Sequence, residues 1–433
     1  MNNAAEVRIW DTKIGVLFLK QGSRFASFEY DPEFVANVAG LGLELAPLTM
    51  PISRRVYEFP DLAASFHGVP GLFADSLPDK FGNAVIRNWL ASRGIAESDF
   101  NVIDRLCYTG KRGMGAIEYV PSAGPDGSFD DQVSIAEMVK FASEVLKGRS
   151  DIKVDITDND PYHQLLRLGT SAGGARAKAV IAWNEKTNEV RSGQINLGEG
   201  FEYWLLKFDG VSSNGDHGLE DVPEYTMIEY AYHMMARRAG IDMQECRMLE
   251  ENGRHHFMTK RFDRVNGKKI HMQTLGALTH TDYDVPCLMG YEYAADRLKA
   301  IGITSSQIEQ FYRRMVFNVL AVNQDDHVKN ISVLMDRKGV WTLSPAYDIT
   351  FSYSENNRWL SAHQMTINGK NKDITLEDLQ TAGQRMGIHK KKINAMIEQV
   401  RDAVNDWNEI AGEVGIREKT ADYIAGKIKE ASV

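Results

Sequence analysis

Between Val7 and Tyr30 apolar and polar residues alternate, first in KIGVLFLKQG and then in FASFEY, with Gly22-Ser23 between the runs. A period of two interrupted by a turn dipeptide predicts a β-hairpin. The pattern then changes. In LFADSLPDKFGNAVIRNWLASRG, Pro78-Asp79 opens a predicted helix whose C-cap is Gly94. A stretch rich in Gly, Pro, Ser and Asp, SAGPDGSFDD (Ser122 to Asp131), reads as a linker, and the amphipathic run IAEMVKFASEVLKG follows it. Two strand-like runs, AKAVIAW and YWLLKF, lie between Tyr162 and Asp209, joined by a polar segment. Asp221, with Pro223 and Glu224 in the first turn, opens a helix through DVPEYTMIEYAYHMMARRAG, and Gly240 stops it. The Met and Tyr stripe of Tyr225 to Met235 is read as core. Another strand, HHFMTKRF, comes next, with His255-His256 on it rather than in a metal site. From about Asp263 helix signals dominate: Thr304 with Gln307 forms a capping box before QIEQFYRRMVFNVLAV, and Thr375 opens LEDLQTAGQRMG. The reading is a mixed N-terminal region, a strand-rich middle and a helical C-terminal half, with a seam near Asp263.

Composition narrows the class. The 433 residues suit two or three domains, and 43% hydrophobic with 25% charged residues is an ordinary globular balance, which excludes a disordered chain. The three cysteines, Cys107, Cys246 and Cys287, are far apart, which argues against a zinc ribbon and for a reducing compartment. MNNAAEVRIW lacks the basic-then-apolar run of a signal peptide, and the apolar runs are short of the ~20 residues that span a bilayer. A soluble, cytoplasmic protein with no membrane partner is therefore expected. Fifty Lys plus Arg against 59 Asp plus Glu give a net charge of −9, so a whole-protein field does not attract nucleic acid, although a local basic patch is compatible with it.

The densest chemistry is NQDDHVKNISVLMD (Asn323 to Asp336) followed by WTLSPAYDIT (Trp341 to Thr350). Asp325 and Asn330 stand at the D-x-x-x-x-N spacing of a phosphotransferase loop, in which the Asp accepts the proton of an attacking hydroxyl and the Asn oxygen helps hold magnesium. Asp348, after a short strand and a turn, is placed like a second metal-binding acid. Magnesium takes few protein oxygens alongside phosphate oxygens, so one Asn and one or two Asp suffice. Asp326 beside Asp325 leaves the base assignment ambiguous, and the spacing to Asn330 selects Asp325. Lys207 ends an apolar strand, either as a phosphate lysine or as an edge charge that blunts aggregation. Glu229, with Glu224 as rival, is the acid that would face it. Upstream, Gly173-Gly174 in LGTSAGGARAKAVIAW lets backbone amides approach phosphate, and Arg176 and Lys178 add positive charge; neither a GK[ST] nor a G-x-G-x-x-G is present there.

Taken in order, these segments resemble the HipA-type toxin kinases, the serine/threonine kinase components of bacterial type II toxin–antitoxin modules. FADSLPDKFGNAVI and GKRGMGAIEYVP are similar to the N-terminal domain of that family, TSAGGARAKAVI to its glycine loop, and WLLKFD, MTKRFDR, HMQTLGAL, QDDHVKNIS and LSPAYDIT to its kinase core. The resemblance implies an α+β fold with two protein-kinase-like lobes and an added N-terminal domain, divided at 1–125, 126–262 and 263–433. It implies Asp325 as catalytic base and Asn330 and Asp348 as magnesium ligands. For ATP it implies Lys207 on phosphate, a phosphate-side loop of Gly173, Gly174, Ala175, Arg176, Ala177 and Lys178, and an adenine-holding segment of Lys260, Arg261 and Phe262. His327, Val328, Lys329 and Tyr347 flank the nucleotide in the same pattern. Ser171 falls on the serine that family members autophosphorylate; phosphate charge beside Gly173 would exclude ATP phosphate and switch the enzyme off. A small helix-turn-helix antitoxin (HipB-like) is the implied partner, with operator DNA bound mainly through it, and Lys370 and Lys372 in INGKNKD as possible DNA contacts against a plain polar hairpin. A translation factor or an aminoacyl-tRNA synthetase is the implied kind of target. The residues leave two other readings: a small-molecule kinase on the same core, and a non-catalytic repressor subunit.

Overall fold

The computed structural model describes residues 2–124, 134–146, 176–193, 197–211 and 224–432. The expected linker beyond Gly124, the Asp221 cap and the loop residues Ser171, Gly173, Gly174 and Ala175 lie outside the described residues. The chain divides into two compact units: Met1–Ala46, Met50–Thr226 and Arg247–Met272 form one, and Pro47–Thr49, Met227–Cys246 and Gln273–Val433 the other.

The first unit holds two five-stranded sheets. Strands β1 (Ala4–Ile9), β2 (Thr12–Phe18), β3 (Ser27–Tyr30), β4 (Val56–Tyr57) and β5 (Ile117–Val120) are ordered β4-β3-β2-β1-β5. All four pairings are antiparallel, with Val7 opposite Gly15 and Leu17 opposite Phe28. Alternation decides the faces: Ala5, Val7 and Ile9 point inward from β1. Around the sheet run α1 (Pro32–Val38), α2 (Gly71–Ala74), α3 (Lys80–Ser92) and α4 (Val102–Thr109). Asp79 caps α3 by accepting from the Gly82 N–H at 2.6 Å, and Gly94 follows its C-terminus at φ +67°. That agrees with the expected helix.

Helix α5 (Ile135–Leu146) precedes the second sheet, made of β6 (Lys178–Asn184), β7 (Glu189–Ser192), β8 (Glu202–Lys207), β9 (Cys246–Glu251) and β10 (Arg254–Lys260) in the order β7-β6-β8-β10-β9. One face carries Ala179, Ile181, Trp183, Trp204 and Leu206 against Phe81, Val85 and Trp89 of α3 and Met138 and Ala142 of α5. Burying each large side chain there contributes about 1.5–3 kcal/mol, so α3 and the second sheet share one core. Two short strands, β11 (Arg264–Val265) and β12 (Lys268–Lys269), form a hairpin after β10.

The second unit takes the helix α6 (Tyr225–Arg238) from Met227 onward, followed by α7 (Leu275–Thr279), α8 (Tyr291–Ala300), α9 (Ser305–Leu320), α10 (Leu376–Arg385), α11 (Lys390–Asn405), α12 (Trp407–Val414) and α13 (Glu418–Glu430). Thr304 with Gln307 and Thr375 with Asp378 form capping boxes. The helix α9 is central: Phe311, Tyr312, Met315, Val316 and Phe317 are buried on it. Gly383 on α10 permits close packing, since a Cβ there would meet Ile393 at 2.8 Å and Tyr312 at 2.9 Å. Strands β13 (His271–Thr274), β14 (Ser332–Met335) and β15 (Trp341–Leu343) make a small sheet, with β14 antiparallel to β15. No helix among the described residues is long and apolar enough to cross a membrane.

Candidate active site

The second unit contains the loop from Asn323 to Ile331. It leaves α9 through Val322, which sits at φ +56°, a left-handed conformation that a β-branched residue adopts only when its surroundings enforce it. The enforcement is visible in backbone hydrogen bonds: Ser352 N–H donates to the Val322 carbonyl at 3.1 Å, and Gln324 N–H donates to the Ser352 carbonyl at 3.0 Å. The loop is thus stitched to the segment just beyond Asp348.

Asp325 and Asp326 are adjacent but have different surroundings. The Asp325 side chain is 46% exposed, with Oδ1 lying 3.7 Å from His327 Nε2. Asp326 is buried. Its Oδ2 accepts from the Tyr291 hydroxyl at 2.8 Å and sits 3.0 Å from His363 Nδ1, while its Oδ1 accepts from the Gln364 N–H at 2.7 Å. Asn318 extends the network, its Nδ2 donating to the Tyr291 hydroxyl at 3.0 Å and its Oδ1 accepting from Asn323 at 2.9 Å. Asp326 is therefore committed to holding the loop, and Asp325 alone of the two carboxylates is presented outward. Sequence reasoning had only the spacing to Asn330 to separate them; Tyr291 and His363, which settle the surroundings, are 35 and 37 residues away from Asp326.

Asn330 closes the loop. Its Nδ2 donates to the Asp325 carbonyl at 2.8 Å and its own N–H to the His327 carbonyl at 2.9 Å. With the amide nitrogen so directed, the side-chain oxygen is the atom a cation would meet. His327 Nδ1 accepts from the Lys329 N–H at 3.2 Å, so the neutral ring carries its proton on Nε2, the nitrogen nearer Asp325. Lys329 Nζ lies 4.2 Å from the Tyr283 ring centroid, and Val328 is buried. The Tyr347 hydroxyl donates to the Lys329 carbonyl at 2.7 Å and receives Ser332 Oγ at 2.5 Å, which ties the residue before Asp348 to the loop. Asp348 has φ +50°, a second strained non-glycine position beside this loop. Hard oxygens from Asn330 and Asp348 suit magnesium, which binds through few protein ligands and phosphate.

In the first unit, Lys178 and Lys207 sit directly opposite each other on the antiparallel strands β6 and β8. Both are buried. Lys178 forms an ion pair with Asp79 at 3.2 Å, the two side chains being 7% and 10% exposed. Lys207 Nζ lies 5.8 Å from the Phe257 ring centroid. Arg176 stacks 4.4 Å over Tyr225, and Ala177 is buried in the core beside α3. At the end of β10, the Lys260 amine pairs with Glu202, and the Arg261 N–H donates to the Tyr203 carbonyl at 2.8 Å.

The Arg261 side chain turns inward, gripping Asp263 through two bonds of 2.8 and 2.7 Å. Arg264 donates to the same carboxylate at 2.7 Å and to the carbonyls of Gly115 and Gly113. The Gly115 N–H completes the set at 2.7 Å from Asp263 Oδ2. This explains the last glycine of GKRGMGA: Gly115 adopts φ +72°, and a Cβ there would come 2.9 Å from the Met272 backbone nitrogen. Burial alone would raise the Asp263 pKa, but Arg261 and Arg264 outweigh it and hold the carboxyl well below its ordinary range. Sequence reading placed Asp263 at a seam; it is the buried centre of an ion cluster. In the second unit, Lys370 Nζ donates to Asp378 at 2.8 Å, while Lys372 is exposed.

Comparison with known proteins bears on both units. Residues 170–407 match the HipA-like C-terminal domain, and residues 5–120 match the HipA N-terminal domain. The chain belongs to the HipA family. Among curated relatives, a putative kinase, Y4dM, of Sinorhizobium fredii is 26% identical over 306 residues, which cover 66% of this chain and 64% of that protein. The match thus spans less than two thirds of that relative's length. The HipA chain of a Shewanella oneidensis MR-1 complex of HipA, HipB and operator DNA superposes with a TM-score of 0.60 at 15% identity, covering 99% of this chain and 95% of that one. That likeness shows that this chain has the HipA fold, a mixed α/β architecture. The Gly173-Gly174 segment, the strands that carry Lys178 and Lys207, and the Asp325 loop all fall within the matched C-terminal domain.

Proposed function

We propose that this HipA-type protein is a magnesium- and ATP-dependent serine/threonine protein kinase that acts as the toxin of a toxin–antitoxin module. The observation that carries the reading is the division of labour between adjacent carboxylates: Asp326 is spent on Tyr291, His363 and Gln364, leaving Asp325 exposed at the spacing of a phosphotransfer base. In the proposed reaction, Asp325 accepts the proton of a Ser or Thr hydroxyl as that oxygen attacks the γ-phosphorus, and ADP leaves. Asn330 and Asp348 would hold magnesium, which would supply neutralisation of phosphate charge. Lys207 and Lys178 bind phosphate, and the backbone of Lys260 to Phe262 reads adenine. His327 Nε2, 3.7 Å from Asp325 Oδ1, flanks the exposed carboxylate.

Ser171 is the proposed autophosphorylation site that switches the enzyme off. A HipB-like helix-turn-helix antitoxin is the proposed partner, contributing most of the contact with operator DNA, which is consistent with a chain of net charge −9. Lys372 is the better candidate for a direct DNA contact, because the Lys370 amine is engaged by Asp378. The test is mass spectrometry of the purified protein after incubation with magnesium ATP. Phosphoserine at Ser171 in wild type and none in Asp325→Asn is expected; phosphoserine in both would overturn the assignment of Asp325.

A further inference from the structure

Two lysines face each other across the β6–β8 ladder, where side chains directly opposite point to the same side of the sheet and their Cβ atoms stand about 4.5–5.5 Å apart. Like charges in that relation repel, and here both are buried. The alternation of the strands puts Lys178 and Lys207 on the face away from the Ala179, Ile181 and Leu206 side that packs on α3. Relief comes from outside the C-terminal family domain. Asp79, in the SLPDKFG segment of the N-terminal domain, reaches Lys178 with Oδ2 while its Oδ1 caps α3 on the Gly82 N–H. One carboxylate therefore joins the first turn of a helix to a buried ammonium 7% exposed.

We propose that Asp79 is a positioning residue for nucleotide binding: it neutralises and orients Lys178, so that the two facing lysines present their charge to phosphate from one fixed arrangement. The inference rests on the kinase reading above and deepens it. The N-terminal domain then supplies part of the nucleotide site through Lys178 rather than serving only as an attachment. Without the carboxylate, a buried ammonium would lose the ion pair it has among the described residues while still facing Lys207. It would have to move toward solvent or lose its proton, and either change weakens its hold on phosphate.

The experiment is a double-mutant cycle on the full-length protein, reading the dissociation constant of the fluorescent analogue mant-ATP with magnesium. Asp79→Asn and Asp79→Ser both keep a side chain able to cap α3 while removing the charge, which separates the ion pair from the cap. Each is expected to weaken mant-ATP binding about tenfold in the wild-type background and less than twofold in Lys178→Met, because the effect runs through that lysine. If one variant fails to fold, the other supplies the cycle, and a helix-capping role alone predicts no change in affinity for either. Additive losses in the two backgrounds, unchanged affinity, or tighter binding on removing the charge would each overturn the inference. A wild-type protein that binds no mant-ATP would instead contradict the kinase reading on which the inference stands.

Discussion

Replacing Asp326 by Asn tests how the loop is held. The substitution preserves volume and keeps an acceptor for the Gln364 N–H, but it places an NH2 group where Oδ2 receives Tyr291 and His363 at 2.8 and 3.0 Å. Hydrogen bonds to a charged acceptor are each worth about 1.5–3 kcal/mol. His363 can recover one by accepting from the new amide in its other tautomer, while the Tyr291 hydroxyl still has Asn318 as a neighbour. The net loss is therefore about 3 kcal/mol, and at roughly 2–4 °C per kcal/mol for a unit of this size the melting temperature should fall by roughly 6–12 °C. Because Asp325 is the next residue, phosphotransfer should fall as well, on the order of 10–100-fold, as expected when a reacting group is displaced by a fraction of an ångström to an ångström. Tyr291→Phe removes a single hydroxyl and should lose about 1 kcal/mol, giving a graded series. Thermal unfolding and initial rates of phosphorylation read both effects. An Asp326→Asn protein with a melting temperature within 2 °C of wild type and full activity would refute the claim that this carboxylate holds the loop.

Three further outcomes follow from the same geometry. Asp263→Asn leaves Arg261 and Arg264 buried against each other and should destabilise the first unit by about 3–5 kcal/mol; since the folded pKa of Asp263 is depressed, its stabilisation is present above pH ~4 and lost as the pH falls further, a loss that urea titrations between pH 5 and 3 should show in wild type and not in the variant. Burial lowers His271 to about 4, so the unfolded chain takes up the proton first and stability should fall as pH drops from ~6.5 toward 4, by on the order of 3 kcal/mol, with a shallower slope in His271→Gln; equal slopes would contradict it. In a complex with the antitoxin, Lys372→Ala should weaken operator binding by fluorescence anisotropy at fixed salt more than Lys370→Ala does, and the opposite order would remove Lys372 as the contact.

What could be read in advance was local. The capping boxes at Thr304 and Thr375 and the Asp79–Gly94 helix depend on residues three or four apart, and the structure has them. The hairpin was visible by its alternation, but β1 was not separated from β2, because their turn uses Trp10 and Asp11 at φ +49° and +68° rather than glycine. The short strands β7 and β9 were passed over because their patterns are weak: Glu189–Ser192 is four residues long, and Cys246–Glu251 (CRMLEE) is half-exposed without strict alternation of apolar and polar side chains. The D-x-x-x-x-N spacing named Asp325 and Asn330, and the structure holds both in one loop, with Asn330 Nδ2 donating to the Asp325 carbonyl. The roles of Asp326, Asp263 and Asp79 stayed hidden, because each depends on partners brought in from distant parts of the chain: Tyr291 and His363, Gly115, and Lys178. Ionic and hydrogen-bonded pairings of that kind leave no period and no motif.

The central claim is that Asp325 carries the proton in phosphoryl transfer, and the direct measurement is the initial rate of transfer from γ-labelled ATP with magnesium to protein serine, compared between wild type and Asp325→Asn at matched folded fractions. A general base contributes on the order of 10²–10⁴-fold, so the account predicts a loss of that size with nucleotide affinity retained. An Asp325→Asn protein that transfers phosphate at the wild-type rate would contradict it.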